Sequence, residues 1–315
     1  MTALTNLHEL LRYDHEHGVL RVGDLARLPE QQFIEFRTAE SVADALAAGV
    51  YSGTVLSLLA GYGLALAARA WQGRQPDARR AAMIQASEQL RSARPSIAVE
   101  RMLGAALQRA DAAVFAGADA ERAVTDIVDE ALRQAERAAE RCGKRAAELL
   151  QDEDVLVTHG PVGPAWWWML RAARQEDKQL RLALINPSEA QWVAQQAQQL
   201  GVAVLPIEQA APSMWSLLVT EAEQIARDGS VTAGHGARQL AELARQHSVP
   251  CYVLSAAGPD PDAATGADVF AAPSIDIIPP ELVSAIVTDR GIYRPAMVMR
   301  YVDDGDAPLD VIPLM

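Results

Sequence analysis

Asp154-Val-Leu-Val-Thr158, then His159-Gly-Pro-Val-Gly-Pro164, then a helix opening with Trp166, Trp167 and Trp168, is the stretch on which the fold class turns. A short apolar run that breaks into glycine and proline and passes into a helix is one strand–loop–helix step of a parallel sheet. The rhythm continues downstream: short apolar strands are expected near 154–158, 181–185, 202–205, 215–220, 250–254 and 268–270, most of them separated by helical segments. Asn186-Pro-Ser-Glu189 supplies a helix start, with Asn186 as cap, Pro187 in the first turn and Glu189 three residues past the cap. Ile278-Pro-Pro-Glu281 reads as another start, of a helix running to Val287. The expectation is an α/β protein whose C-terminal domain, 151–315, is a Rossmann-like parallel sheet covered by helices. It has no dinucleotide fingerprint, because Gly229, Gly234 and Gly236 lack the required spacing directly after a strand.

Upstream the pattern is helical. Leu11-Arg-Tyr-Asp14 through Arg21-Val22 reads as a small antiparallel start with Asp14 to Gly18 as its turn. Residues 39–70 form two helices parted near Gly49 to Gly53, Gln72-Gly-Arg-Gln-Pro76 is a break, and helices over 77–92 and 97–112 follow. Leu56 to Ala68 is strongly apolar but too short to span a bilayer, and Arg69 follows it, so a buried helix is expected. A long helix over 120–150 pairs Glu130 with Arg133 and Glu140 with Lys144 on a solvated face. Gly143 within it marks a kink or a close contact with another backbone. The expected domains are a mostly helical 1–119, a connecting helix 120–150, and the α/β domain 151–315.

The chain has 315 residues, a formal net charge of -13 and a pI near 4.9. That balance argues against nucleic acid or an anionic membrane as partner. It leaves room for a small anionic metabolite, since amides at a helix start hold a phosphate locally. Cys142 and Cys251 read as reduced core thiols of a cytoplasmic protein, and no signal peptide is evident at the start. No cofactor or metal is expected: His235 has no histidine or cysteine at ligand spacing, and His15 and His17 flank Glu16 in an exposed turn.

Several stretches together resemble methylthioribose-1-phosphate isomerase, a family grouped with ribose-1,5-bisphosphate isomerase and the regulatory subunits of translation initiation factor 2B. They are Leu11-Arg-Tyr-Asp14, Thr38-Ala-Glu-Ser-Val-Ala-Asp-Ala45, Ala60-Gly-Tyr-Gly-Leu-Ala-Leu-Ala-Ala-Arg69, Leu90-Arg-Ser-Ala-Arg-Pro95 and Val157-Thr-His159. The run from Gly236 to Pro250 and the stretch from Pro273-Ser-Ile-Asp276 to Gly291-Ile-Tyr-Arg-Pro295 complete them. The resemblance implies a homodimer.

It also implies a site, and there the residues differ. The family's Arg-Gly-Ala-Pro loop falls on Ser52-Gly-Thr-Val55, which keeps only Gly53. Its His-Cys-Asn-Thr-Gly loop with the catalytic cysteine falls on His159-Gly160-Pro161-Val162-Gly163, without a thiol. Its Glu-Thr-Arg-Pro segment lies near Asn186-Pro-Ser-Glu189, without arginine. Its Gly-Ala-Asp-Arg segment falls on Glu221-Ala-Glu-Gln224, which puts Glu223 at the aspartate, and the following Asn-Lys pair becomes Ala233-Gly234. Moving a carbonyl between adjacent sugar carbons requires proton or hydride movement and donors for the developing oxyanion, and losing one such donor costs about 3–4 kcal/mol.

The leading expectation is therefore a catalytically degenerate homolog acting as a small-ligand sensor or a protein-interaction subunit, with Gly53, Gly160 and Gly163 as ligand-binding backbone. The alternative is an aldose–ketose isomerase with a rebuilt site using Glu223, Asp276 and His159. Bland roles stand beside these: a turn-shaping histidine, a relic polar glutamate, and an aspartate that caps the helix near Pro279. Trp166 to Trp168 cannot share one helix face, since successive residues turn by about 100°. At least one is expected in the core, with another filling a vacated pocket, joining a subunit contact or packing between helix and sheet.

Overall fold

The computed structural model describes residues 5–24, 33–49, 53–158, 163–185, 187–206, 209–259 and 275–300. The chain divides into two units, Met1–Ala135 and Glu136–Met315.

The first unit opens with one helical turn, α1 (Leu7–Leu10), and a three-stranded antiparallel sheet of β1 (Leu11–Asp14), β2 (Val19–Gly23) and β3 (Phe33–Phe36), in the order β1-β2-β3. The hairpin turns at Asp14 as expected, and the Asp14 carboxylate accepts the amides of Glu16 and His17. The helices are α2 (Ala39–Ala47), α3 (Gly53–Ala70), α4 (Pro76–Ala93), α5 (Ile97–Phe115) and α6 (Ala120–Glu148), the last running on into the second unit. From Leu56 to Ala68 every residue of α3 is buried, which explains why that stretch is apolar on all sides. A helix wrapped by others has no solvent face to keep polar, and each buried leucine contributes about 1.5–3 kcal/mol.

The second unit holds β4 (Val155–Thr158), α7 (Pro164–Gln175), β5 (Arg181–Leu184), α8 (Pro187–Gln199), β6 (Ala203–Leu205), β7 (Leu217–Glu221), β8 (Gln224–Ile225), β9 (Val231–Gly234), α9 (Ala237–Gln246), β10 (Cys251–Ser255), β11 (Ile275–Ile278), β12 (Ala285–Thr288) and β13 (Ile292–Tyr293). Seven strands form one sheet in the order β13-β12-β10-β7-β4-β5-β6, parallel throughout except for β13. The chain winds from β4 out to β6, then returns to place β7 on the other side of β4. Strand order therefore reverses between β4 and β7, the position where a crevice opens outside the strand ends. A separate antiparallel sheet has the order β11-β9-β8.

One expectation fails here. Pro280–Leu282 is a single 3-10 turn, and Ala285–Thr288 is β12, not the end of a helix. Ala285-Ile-Val-Thr288 is rich in β-branched residues, and the free side of β10 takes it up in register from Tyr252↔Ala285 to Ser255↔Thr288. The strand expected at 268–270 lies outside the described residues.

Candidate functional site

Side chains alternate across a strand. Val155, Val157, Leu218, Cys251, Val253 and Ile286 share a core with Leu240, Ala241 and Ala244 of α9. Leu217, Val219 and Glu221 are out of phase with Leu218 and so face the opposite side of the sheet, where α7 lies.

Glu221 is the last residue of β7, at the switch point. Its Oε2 accepts the amide of Gly163 at 2.6 Å, and its carboxyl also accepts the amide of Ala165. Gly163 caps α7 with no side chain of its own, and Pro164 at the first helical position has no N–H. A carboxylate distant in sequence thus takes two of the helix-start donors that would otherwise be open to a ligand. The fit is tight enough that a methyl group on Gly163 would overlap the Glu221 carboxyl. The residue keeps some accessible surface, yet burial of the carboxyl among protein atoms pushes its pKa up to about 7, against the opposing pull of the two amides. No arginine, lysine or histidine among the described residues bonds it.

Around this carboxyl the packing is close. Gly143 of α6 lets that helix touch the start of α7: a Cβ there would meet the carbonyl oxygen of Ala165 and the amide nitrogen of Met169. Of the two readings for Gly143, close backbone contact is the one realised. The Cys142 thiol is buried and donates to the Val287 carbonyl at 3.2 Å. Burial drives its pKa upward, as it pushes that of Cys251 up to about 12, so neither thiol is a ready nucleophile. Arg141 reaches Asp289 beyond β12 at 2.8 Å.

The tryptophan triplet splits two and one. Trp166 and Trp167 are both buried, edge to face at 4.9 Å, and Trp167 meets Trp192 of α8 at 5.5 Å. Trp168 turns outward, donates to Glu136 at 2.7 Å and lies under the Arg171 guanidinium at 5.0 Å.

The expected site residues are distributed as follows. His159 and Gly160 lie outside the described residues. Gly163 sits at the switch point, but its amide is already bound. Gly53 opens α3 in the first unit. Glu223 precedes β8, its amide donating to the Thr232 carbonyl at 2.8 Å. Asp276 lies on β11 opposite Ala233, on the other side of β9, so the two backbones stand two strand spacings apart, about 10 Å. Asp276 does cap a helix, but a different one from that expected near Pro279. Its Oδ2 accepts the amides of Gly236 (2.8 Å) and Arg238 (3.2 Å) at the start of α9, and its other oxygen faces His235 at 3.4 Å.

Sequence reasoning missed Glu221. The signal was present as a carboxylate closing an otherwise apolar strand, Leu217-Leu-Val-Thr-Glu221, two residues from the glutamate that was chosen. Among the described residues no group of three or more His, Cys, Asp or Glu side chains is gathered in a way that holds a metal.

The sequence profile of the Initiation factor 2 subunit family matches residues 52–258. A methylthioribose-1-phosphate isomerase from Dehalococcoides mccartyi (strain CBDB1) is 26% identical over 318 residues, spanning 86% of this chain and 95% of its own. The crystal structure of 5-methylthioribose 1-phosphate isomerase from Pyrococcus horikoshii OT3 superposes with a TM-score of 0.74 at 22% identity, over 96% of this chain and 98% of that one. Subunit delta of translation initiation factor eIF-2B from A. fulgidus does so with a TM-score of 0.70 at 24% identity, over 92% and 96%. These two structures share the architecture of a helical region followed by a largely parallel sheet.

Proposed function

The chain belongs to the initiation factor 2 subunit family, and from that premise we propose that it is a catalytically degenerate member, serving as a small-ligand sensor or a protein-interaction subunit. The observation that carries this reading is the Glu221 carboxyl seated on the amides of Gly163 and Ala165. An anionic substrate oxygen approaching those donors meets a carboxyl in their place, and a charged one repels it. The resemblance adds that Gly160 stands where the isomerases keep their cysteine, and Ala233-Gly234 where they keep an asparagine and a lysine. Together these remove the nucleophile and cationic donors for a sugar-phosphate oxyanion.

The second reading, a rebuilt aldose–ketose isomerase, is favoured by one fact: a carboxyl that titrates near neutrality is the kind of group an acid–base step needs. A turnover assay with methylthioribose-1-phosphate, paired with calorimetric titration of the same compound, separates the two. No turnover is expected. Binding without turnover identifies the sensor, and neither binding nor turnover identifies the interaction subunit. Turnover that Glu221→Gln abolishes establishes the rebuilt enzyme and removes the leading reading.

A further inference from the structure

At the end of β7 a carboxyl with no cation bonded to it among the described residues is pressed between several elements. From α7 it receives the two amides of Gly163 and Ala165. From α6 the Cys142 thiol lies within electrostatic reach of it, and burial keeps that thiol neutral. The other acid on that side, Asp289, is tied by Arg141 at 2.8 Å, while Arg145 donates to the Asp289 carbonyl at 3.2 Å. From β10 the neighbour is Leu254, in register with Glu221, and Ser255 follows it. Among the described residues none of these neighbours supplies Glu221 with a compensating positive charge.

We propose that Glu221 is a proton-operated catch on the start of α7, holding Gly163 and Ala165 in place while neutral and releasing them toward water when it ionises. A neutral carboxyl still offers an oxygen to both amides, whereas an unpaired carboxylate in an enclosed site draws water or leaves. Leaving is feasible because the residue sits at a strand end and keeps accessible surface. The carboxyl titrates at about 7 in place against 4.5 when free, so ionisation favours release by a factor on the order of 300. The elements that respond are the first turn of α7 and, through the Trp167–Trp192 contact, α8. The device does not depend on whether the chain turns over a sugar phosphate.

The test is hydrogen–deuterium exchange of the full chain from pH 5.5 to 8.5, corrected for intrinsic rates and read at the peptide covering Gly163 to Trp168. In the wild type, protection there falls by about tenfold or more between pH 5.5 and 7 and levels off above 7. Glu221→Gln keeps its protection at every pH. His159→Asn keeps the wild-type titration; this control is needed because an imidazole titrates in the same range four residues before Gly163. Flat wild-type protection, a titration that survives in Glu221→Gln, or one lost in His159→Asn each overturns the proposal. Should Glu221→Gln not fold, carbon-13 spectra of wild type labelled at the glutamate carboxyl decide: one resonance titrating near 7 is expected, and none above 6 overturns it.

Discussion

Two glutamates, one in each unit and each with its carboxyl packed among protein atoms, show what a cation decides. Glu121 in α6 is 5% exposed and has Arg69 against it at 3.0 Å, with the Tyr13 hydroxyl donating at 2.9 Å. Arg69 also binds the carbonyls of His15 (3.0 Å) and Glu16 (2.9 Å), so one guanidinium ties the β1–β2 turn to α3 and α6. Tyr13 stacks on Tyr62 at 5.4 Å, and the Tyr62 hydroxyl donates to Asp129 at 2.6 Å. Burial, followed by these carboxylate bonds, drives both phenols up from their ordinary range. Among the described residues Glu221 has two backbone amides and no cation bonded to it, and burial dominates it. The first arrangement is a permanent tie; the second is a group whose charge state responds to pH.

The largest effect should come from breaking the tie. Arg69→Met leaves the Glu121 charge buried without its partner and frees two carbonyls, costing about 3 kcal/mol in urea unfolding at pH 7. A loss under about 1 kcal/mol shows that Glu121 and Glu221 differ less than the geometry says. Next comes Glu221→Gln, where the sign follows from linkage. The folded chain holds this proton more tightly than the unfolded one, so the group's contribution to stability is greatest below 4.5, declines as pH rises toward about 7, and stays low above. The amide variant lacks that decline and should exceed the wild type by about 3 kcal/mol at pH 8 while differing by about 1 kcal/mol or less at pH 5. Equal stabilities at pH 8 remove the contrast between the two glutamates.

Smaller effects refine the comparison. Asp276 is a counterpart of Glu221 with an imidazole beside it, a carboxylate on helix-start amides with its side chain 19% exposed and His235 at 3.4 Å. Asp276→Ala should cost about 1 kcal/mol through the uncapped start of α9. Trp168→Phe removes the bond to Glu136 but keeps a ring under Arg171, and about 1 kcal/mol or less is expected by the same denaturation measurement.

The sequence by itself determined the elements whose signal is local. Periodicity placed α2 to α6, the turn chemistry of Asp14 to Gly18 placed the first hairpin, and short apolar runs placed five parallel strands, β4, β5, β6, β7 and β10. Gly143 was legible as a kink or a close contact, and only the packing of α6 on the start of α7 decided for the contact. The tertiary structure decided what depends on a neighbour. Ala285–Thr288 is a strand because β10 has a free side to receive it, and no cap or periodicity within those four residues says so. Asp276 serves α9 and not the turn at Pro280–Leu282, because β11 runs beside β9 and brings it to Gly236. Glu221 reads in the chain as one more acid near a strand end. Only the sheet's reversal of direction beside β4 carries it to Gly163, and only the surrounding packing removes the water that would have kept it an ordinary carboxylate.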